Sequence, residues 1–214
     1  MFDLIVFDMD GVLVDSEPIA NRILHQYLSA LGVPMTLDEL TRDTLGLSTA
    51  SMRRLIHDRF AIAIPDETLA KQHAAVYAAY ETELRPVPGV EDAMRALPHP
   101  RCVASSSSPE TIAVSLRLTG LDRHFGDKLF SASMVERGKP HPDLFLHAAR
   151  TMGFAPARTA VVEDSVPGVT AGVAAGMRVF AYAGASYAVA EALAGAGGAV
   201  FTDMRELPRL MGTV

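Results

Sequence analysis

The sequence predicts an α/β fold, a parallel sheet covered by helices on both faces and interrupted by an all-helical insertion. Three observations predict it. "LIVF" at residues 4–7 reads as a strand buried on both faces. Residues 15–84 carry helical periodicity with no convincing strand. From residue 101 onward, short apolar runs alternate with helix-patterned segments, the rhythm of a parallel sheet with crossover helices.

Taken in order, the first strand runs straight into Asp8 and Asp10. Ile19, Ile23, Tyr27, Leu28 and Leu31 then recur at helical spacing, and Gly32 stops the pattern. Further helical segments are expected over 37–45, 49–60 and 66–83, and "LRPVPGV" (84–90) marks a boundary through its two prolines and glycine. Strands are expected at 101–105, 128–132, 159–164 and 178–182, with a last edge strand at 199–202. Helices open at Pro109 and Pro142 and run over 166–175, while "GAGGA" (195–199) reads as a loop. The expected organisation is a Rossmann-like α/β core of residues 1–14 and 85–214, with a helical cap of residues 15–84 hinged at 14–17 and 84–88.

Composition narrows the function. A chain of 214 residues with 49% hydrophobic and 21% charged residues can bury a sizeable core. A net charge of -6 argues against nucleic acid or an anionic membrane surface as partner. No apolar run approaches the roughly 18 residues of a membrane span, and no basic leader precedes the first strand. The single cysteine, Cys102, excludes an internal disulfide and fits a reducing compartment. A cytoplasmic monomer is expected.

The chemistry is carried by strand ends. In open parallel sheets the reactive crevice lies beyond the carboxyl ends of the strands. Asp8, Ser105, the loop after residue 132 and Glu163–Asp164 all fall there. Asp8 and Asp10 are two apart in an extended segment, so both can face one pocket. One can attack phosphorus as a nucleophile and the other can shuttle the proton. Two carboxylates would repel a phosphate, so the site calls for a cation, and hard oxygen ligands suit Mg²⁺. Lys139 in "RGKPHPD" supplies a positive charge, Ser105 a hydroxyl, and Ser106 a backbone N–H for the non-bridging oxygens. Glu163 and Asp164 could instead be acids at a helix N-terminus. Arg53, Arg54, His57 and Arg59 could reach a second substrate anion but read better as a solvated helix face. Cys102 reads as a buried small hydrophobe.

The order "DMDGVLVDSE", "VASSS", "GKPHPD", "VVEDSVPGVTAGVAAGM" resembles the haloacid dehalogenase superfamily, in the branch with a helical cap after the first motif. The resemblance implies Asp8 as nucleophile and Asp10 as general acid/base, with Ser105, Ser106 and Lys139 as phosphate ligands. It further implies Mg²⁺ held by Asp8, the Asp10 carbonyl and Asp164, with Glu163 behind them or joined through water. The second aspartate of the motif favours phosphate esters over halides. A phosphosugar mutase is the alternative, but Ala20 and Thr49 stand where those mutases carry a histidine and an arginine. The expected activity is hydrolysis of a small phosphorylated metabolite, such as a sugar phosphate. A non-catalytic metabolite-binding module is a third reading.

Overall fold

The computed structural model describes residues 2–44, 49–184 and 190–212. In chain order the elements are β1 (Leu4–Phe7), α1 (Glu17–Ala30), α2 (Leu37–Thr44), α3 (Thr49–Phe60), α4 (Asp66–Glu83) and α5 (Val90–Ala96). They continue with β2 (Arg101–Ser105), α6 (Pro109–Leu118), β3 (Leu129–Ser131), α7 (Asp143–Met152), β4 (Thr159–Glu163) and α8 (Val166–Ala174). The chain closes with β5 (Arg178–Tyr182), α9 (Ala190–Gly195), β6 (Ala199–Phe201) and α10 (Leu207–Leu210).

The six strands form one parallel sheet in the order β3-β2-β1-β4-β5-β6. β1 sits inside it, paired with β2 through Val6↔Cys102 and with β4 through Val6↔Val161. All four of its residues are buried, which is why they are apolar without alternation. Leu4 and Val6 join a cluster with Cys102, Phe145, Val161 and Val169. Phe7 meets Phe125 edge to face. Burial pushes the Cys102 thiol up to about 12, so it is a packed hydrophobe with no thiolate to offer.

Contacts divide the chain into two compact units, Met1–Asp15 with Arg85–Val214, and Ser16–Leu84. The outgoing and returning segments pair within the first unit. Asp15 N–H donates to the Arg85 carbonyl at 3.0 Å and Val87 N–H to the Leu13 carbonyl at 2.9 Å. Among its described residues the second unit has helices and no strand, around its own core of Leu28, Val33, Leu40, Met52, Ile56 and Leu69. Arg53 bonds Asp66 and the Ile64 carbonyl, and Arg59 bonds Asp43, so these two arginines stitch helices together.

Several expected bounds shift for local reasons. β4 ends at Glu163, and β3 ends at Ser131 because the Ser131 hydroxyl accepts from Ser133 N–H and starts a 3₁₀ turn. The glycine-rich loop is shorter than expected, since Gly195 still belongs to α9, which Leu193 anchors in the core. The seven-residue α5 was not foreseen. Residue 45 of the helix expected over 37–45 lies outside the described residues. No helix among the described residues is long and apolar enough to cross a membrane.

Candidate active site

The order β2-β1-β4 places the ends of three strands side by side, and the sequence puts its polar groups there. Past β1 the chain turns sharply: Leu13 N–H and Val14 N–H both donate to the Met9 carbonyl, at 2.8 and 3.1 Å. Gly11 takes φ 76°, a left-handed conformation that a side chain would resist. Met9 is buried in the core while Asp8 and Asp10, on either side of it, turn the other way.

Lys139 ties two strand ends together. Its Nζ donates to Asp8 Oδ1 at 2.6 Å and to Glu163 Oε1 at 2.7 Å. Its side chain is 6% exposed and lies over the Phe145 ring at 5.1 Å, so the charge is desolvated on every side. Arg137 forks onto Asp143 with two bonds of 3.0 Å, bracing the loop that delivers Lys139 to the start of α7.

Glu163 is fully buried and both its oxygens are engaged. Oε2 accepts from Asp164 N–H at 2.7 Å, Ser165 N–H at 2.7 Å and the Ser165 hydroxyl at 2.9 Å. The same Ser165 hydroxyl caps α8 by accepting from Gly168 N–H. Glu163 is therefore an acid at a helix N-terminus, one of the readings the sequence offered, and also the partner of Lys139, a contact the sequence did not announce.

On the β2 side, Ser105 is buried and its hydroxyl accepts from Ser107 N–H at 3.0 Å. The Ser107 hydroxyl donates to Asp10 Oδ2 at 2.9 Å. Ser131, at the end of β3, donates to the Ser107 carbonyl at 2.7 Å and fixes that turn. Ser108 caps α6. Ser107 is thus the residue sequence reasoning missed: it holds Asp10, while Ser106 is exposed. Within a run of four serines, only the tertiary contact separates their roles.

Burial pushes the Asp8 carboxyl up to about 7; Lys139 opposes this, while Glu163 and Asp10 add to it. Burial also works against the Lys139 ammonium, but Asp8 and Glu163 outweigh it and hold it above the usual lysine range. Carboxylate oxygens of Asp8, Glu163 and Asp164 lie within 4.8 Å of one another. Three acids against one ammonium leave the pocket negative. Hard oxygen donors in that arrangement fit a divalent cation. A cation there would favour ionised Asp8.

The comparisons agree with this geometry. A family model described as haloacid dehalogenase-like hydrolase matches residues 2–176. Hexitol phosphatase B of Escherichia coli K12 is 34% identical over 179 residues, covering 81% of this chain and 80% of that protein. The 6-phosphogluconate phosphatase of the same strain is 31% identical over 184 residues, covering 83% and 81%. A solved haloacid dehalogenase-like protein from Agrobacterium tumefaciens superposes with a TM-score of 0.92 at 35% identity, covering 99% of this chain and 98% of that one. The stretch matched to the family runs from before β1 to the end of α8 and so takes in Asp8, Ser105, Lys139, Glu163 and Asp164. With motif order, sheet order and overall similarity all in agreement, the chain belongs to the haloacid dehalogenase-like hydrolase family.

Proposed function

We propose that the chain is a Mg²⁺-dependent phosphomonoesterase of small phosphorylated metabolites, sugar phosphates foremost, working through a phosphoryl group carried on Asp8. The observation that carries this reading is the pairing of buried Asp8 with Lys139 beside a cluster of acidic oxygens. Asp8 Oδ attacks phosphorus and forms an O–P bond, the ester O–P bond breaks, and Asp10 gives its proton to the departing alkoxide. Water then attacks phosphorus and loses a proton to Asp10, and the Asp8 O–P bond breaks to release inorganic phosphate. Ser107 keeps Asp10 turned toward that task. Lys139, Ser105 and the Ser106 N–H are the donors for the non-bridging oxygens. Mg²⁺, held by Asp8, the Asp10 carbonyl and Asp164, supplies charge neutralisation and a template for the phosphate.

The helical unit of residues 15–84 is read as a cap that excludes water and selects the leaving group. All these groups come from one chain, so a monomer suffices. The single cysteine is buried, in keeping with a cytoplasmic enzyme.

Chelation tests the metal requirement. With EDTA in excess, phosphate release from p-nitrophenyl phosphate is expected to fall at least about 100-fold, and added Mg²⁺ to restore it. Full activity in EDTA contradicts the cation assignment. Incubation with glucose 1-phosphate separates the mutase alternative: phosphate release without isomer exchange is expected.

A further inference from the structure

The ends of β2 and β3 carry serines whose hydrogen bonds run in one direction. Ser105 faces Ser131 in the register of the two strands, and both are buried. The Ser131 hydroxyl donates to the Ser107 carbonyl at 2.7 Å, and a hydroxyl has one proton to give. Toward Ser133 it can therefore only accept, from the hydroxyl at 3.0 Å and from the N–H at 3.2 Å. Ser107 is held at both backbone ends, its carbonyl by Ser131 and its N–H by the Ser105 hydroxyl at 3.0 Å. Its own hydroxyl donates to Asp10 Oδ2 at 2.9 Å.

The direction of these bonds separates their work. Ser105 accepts from Ser107 and so keeps its proton for a phosphate oxygen. Ser131 has its hydrogen bonds with Ser107 and Ser133, and none of them reaches Asp8, Asp10 or Lys139. What its proton does is fix the turn between β2 and α6, where Ser107 has no strand partner. Without that bond the Ser107 carbonyl loses its partner and the turn can rotate, swinging the Ser107 hydroxyl off Asp10. β3, β2 and β1 are neighbours in the sheet, so the chain of bonds crosses it within one compact unit.

We propose that Ser131 is a positioning residue for proton transfer to the leaving oxygen, acting on Asp10 only through Ser107. The inference rests on the phosphatase reading above and deepens it. Asp10 gives its proton to the departing oxygen as the ester O–P bond breaks, and Ser131 keeps the carboxyl aimed there. Lost aim costs most where the departing oxygen most needs the proton.

The test compares kcat/KM of the Mg²⁺-loaded full chain on phenyl phosphate and p-nitrophenyl phosphate. The two differ little in shape, but p-nitrophenol departs readily as an anion and phenol does not. Loss of the Ser131 hydrogen bond in Ser131→Ala is expected to lower the phenyl to p-nitrophenyl ratio about fivefold. In Ser107→Ala the ratio is expected to fall about tenfold. The double variant is expected to match Ser107→Ala alone, because Ser131 has no other route to Asp10. Ser131→Thr, which keeps the hydroxyl, is expected to restore the ratio. Thermal melts confirm folding, and if Ser131→Ala melts too low to assay, Ser131→Cys, with its weak donor, reads the same ratio. Equal losses on both substrates would mark Ser131 as merely structural and overturn the inference. A double variant in which the two single losses multiply also overturns it, and both results leave the phosphatase reading standing. Failure to hydrolyse either substrate overturns the phosphatase reading, and the inference with it.

Discussion

Asp8→Asn is expected to lower kcat for p-nitrophenyl phosphate by at least about 10⁴-fold, the scale seen when a nucleophile is removed from a unit of cooperating residues. The fold should survive. Asparagine has the same shape, and the carboxylate it replaces is one whose ionisation burial already opposes. The variant is therefore expected to melt no lower than the wild type while losing turnover. Lys139 keeps its second partner, Glu163, at 2.7 Å, so the ammonium is not stranded. Measuring kcat and the melting temperature on the same sample checks both halves. A variant that retained wild-type turnover would remove Asp8 from the reaction.

The second large effect comes from a single methyl group. Gly168 lies in α8, where replacing glycine by alanine ordinarily stabilises by up to about 1 kcal/mol. Here the sign is expected to reverse. A Cβ on Gly168 would fall 1.7 Å from Glu163 Oε1 and 1.9 Å from its Cδ. That carboxylate cannot step aside cheaply, because Oε2 accepts three bonds and Oε1 holds Lys139. Displacing it strains a packed site and partly breaks a buried ion pair, at a cost of about 2–4 kcal/mol. Lys139 would then lose its anchor, so activity should fall together with stability. Urea denaturation of Gly168→Ala gives the sign directly. A gain in stability would mean that the close approach of Glu163 to α8 is not a feature of the folded protein.

Much of this was legible in the sequence because a parallel sheet writes its site at strand ends. "LIVF" and "AVV" (160–162) are apolar since both faces of β1 and β4 are covered, so the first polar residue after each marks the rim. Asp8, Ser105 and Glu163–Asp164 stand out for that reason. Lys139 is legible only through its motif, since a loop lysine alone gives no sign that it will reach a residue 131 positions away.

What stayed hidden has physical causes. α5 is a seven-residue helix between a proline-rich strap and β2, too short for its period to show. Ser107 was one serine among four, and its role depends on where the turn after β2 aims it. Glu163 could be seen as acidic, but its saturation by three donors and a lysine depends on the start of α8 folding back onto it.

In the proposed reaction the phosphoryl group passes through Asp8 on its way to water. Rapid quenching of the Mg²⁺-loaded enzyme with phosphorus-labelled substrate, followed by proteolysis, tests it most directly. Transient, alkali-labile label is expected on the peptide containing Asp8, formed and lost fast enough to carry turnover. Rapid turnover with no label on that peptide at any quench time, or label on another residue, would contradict it.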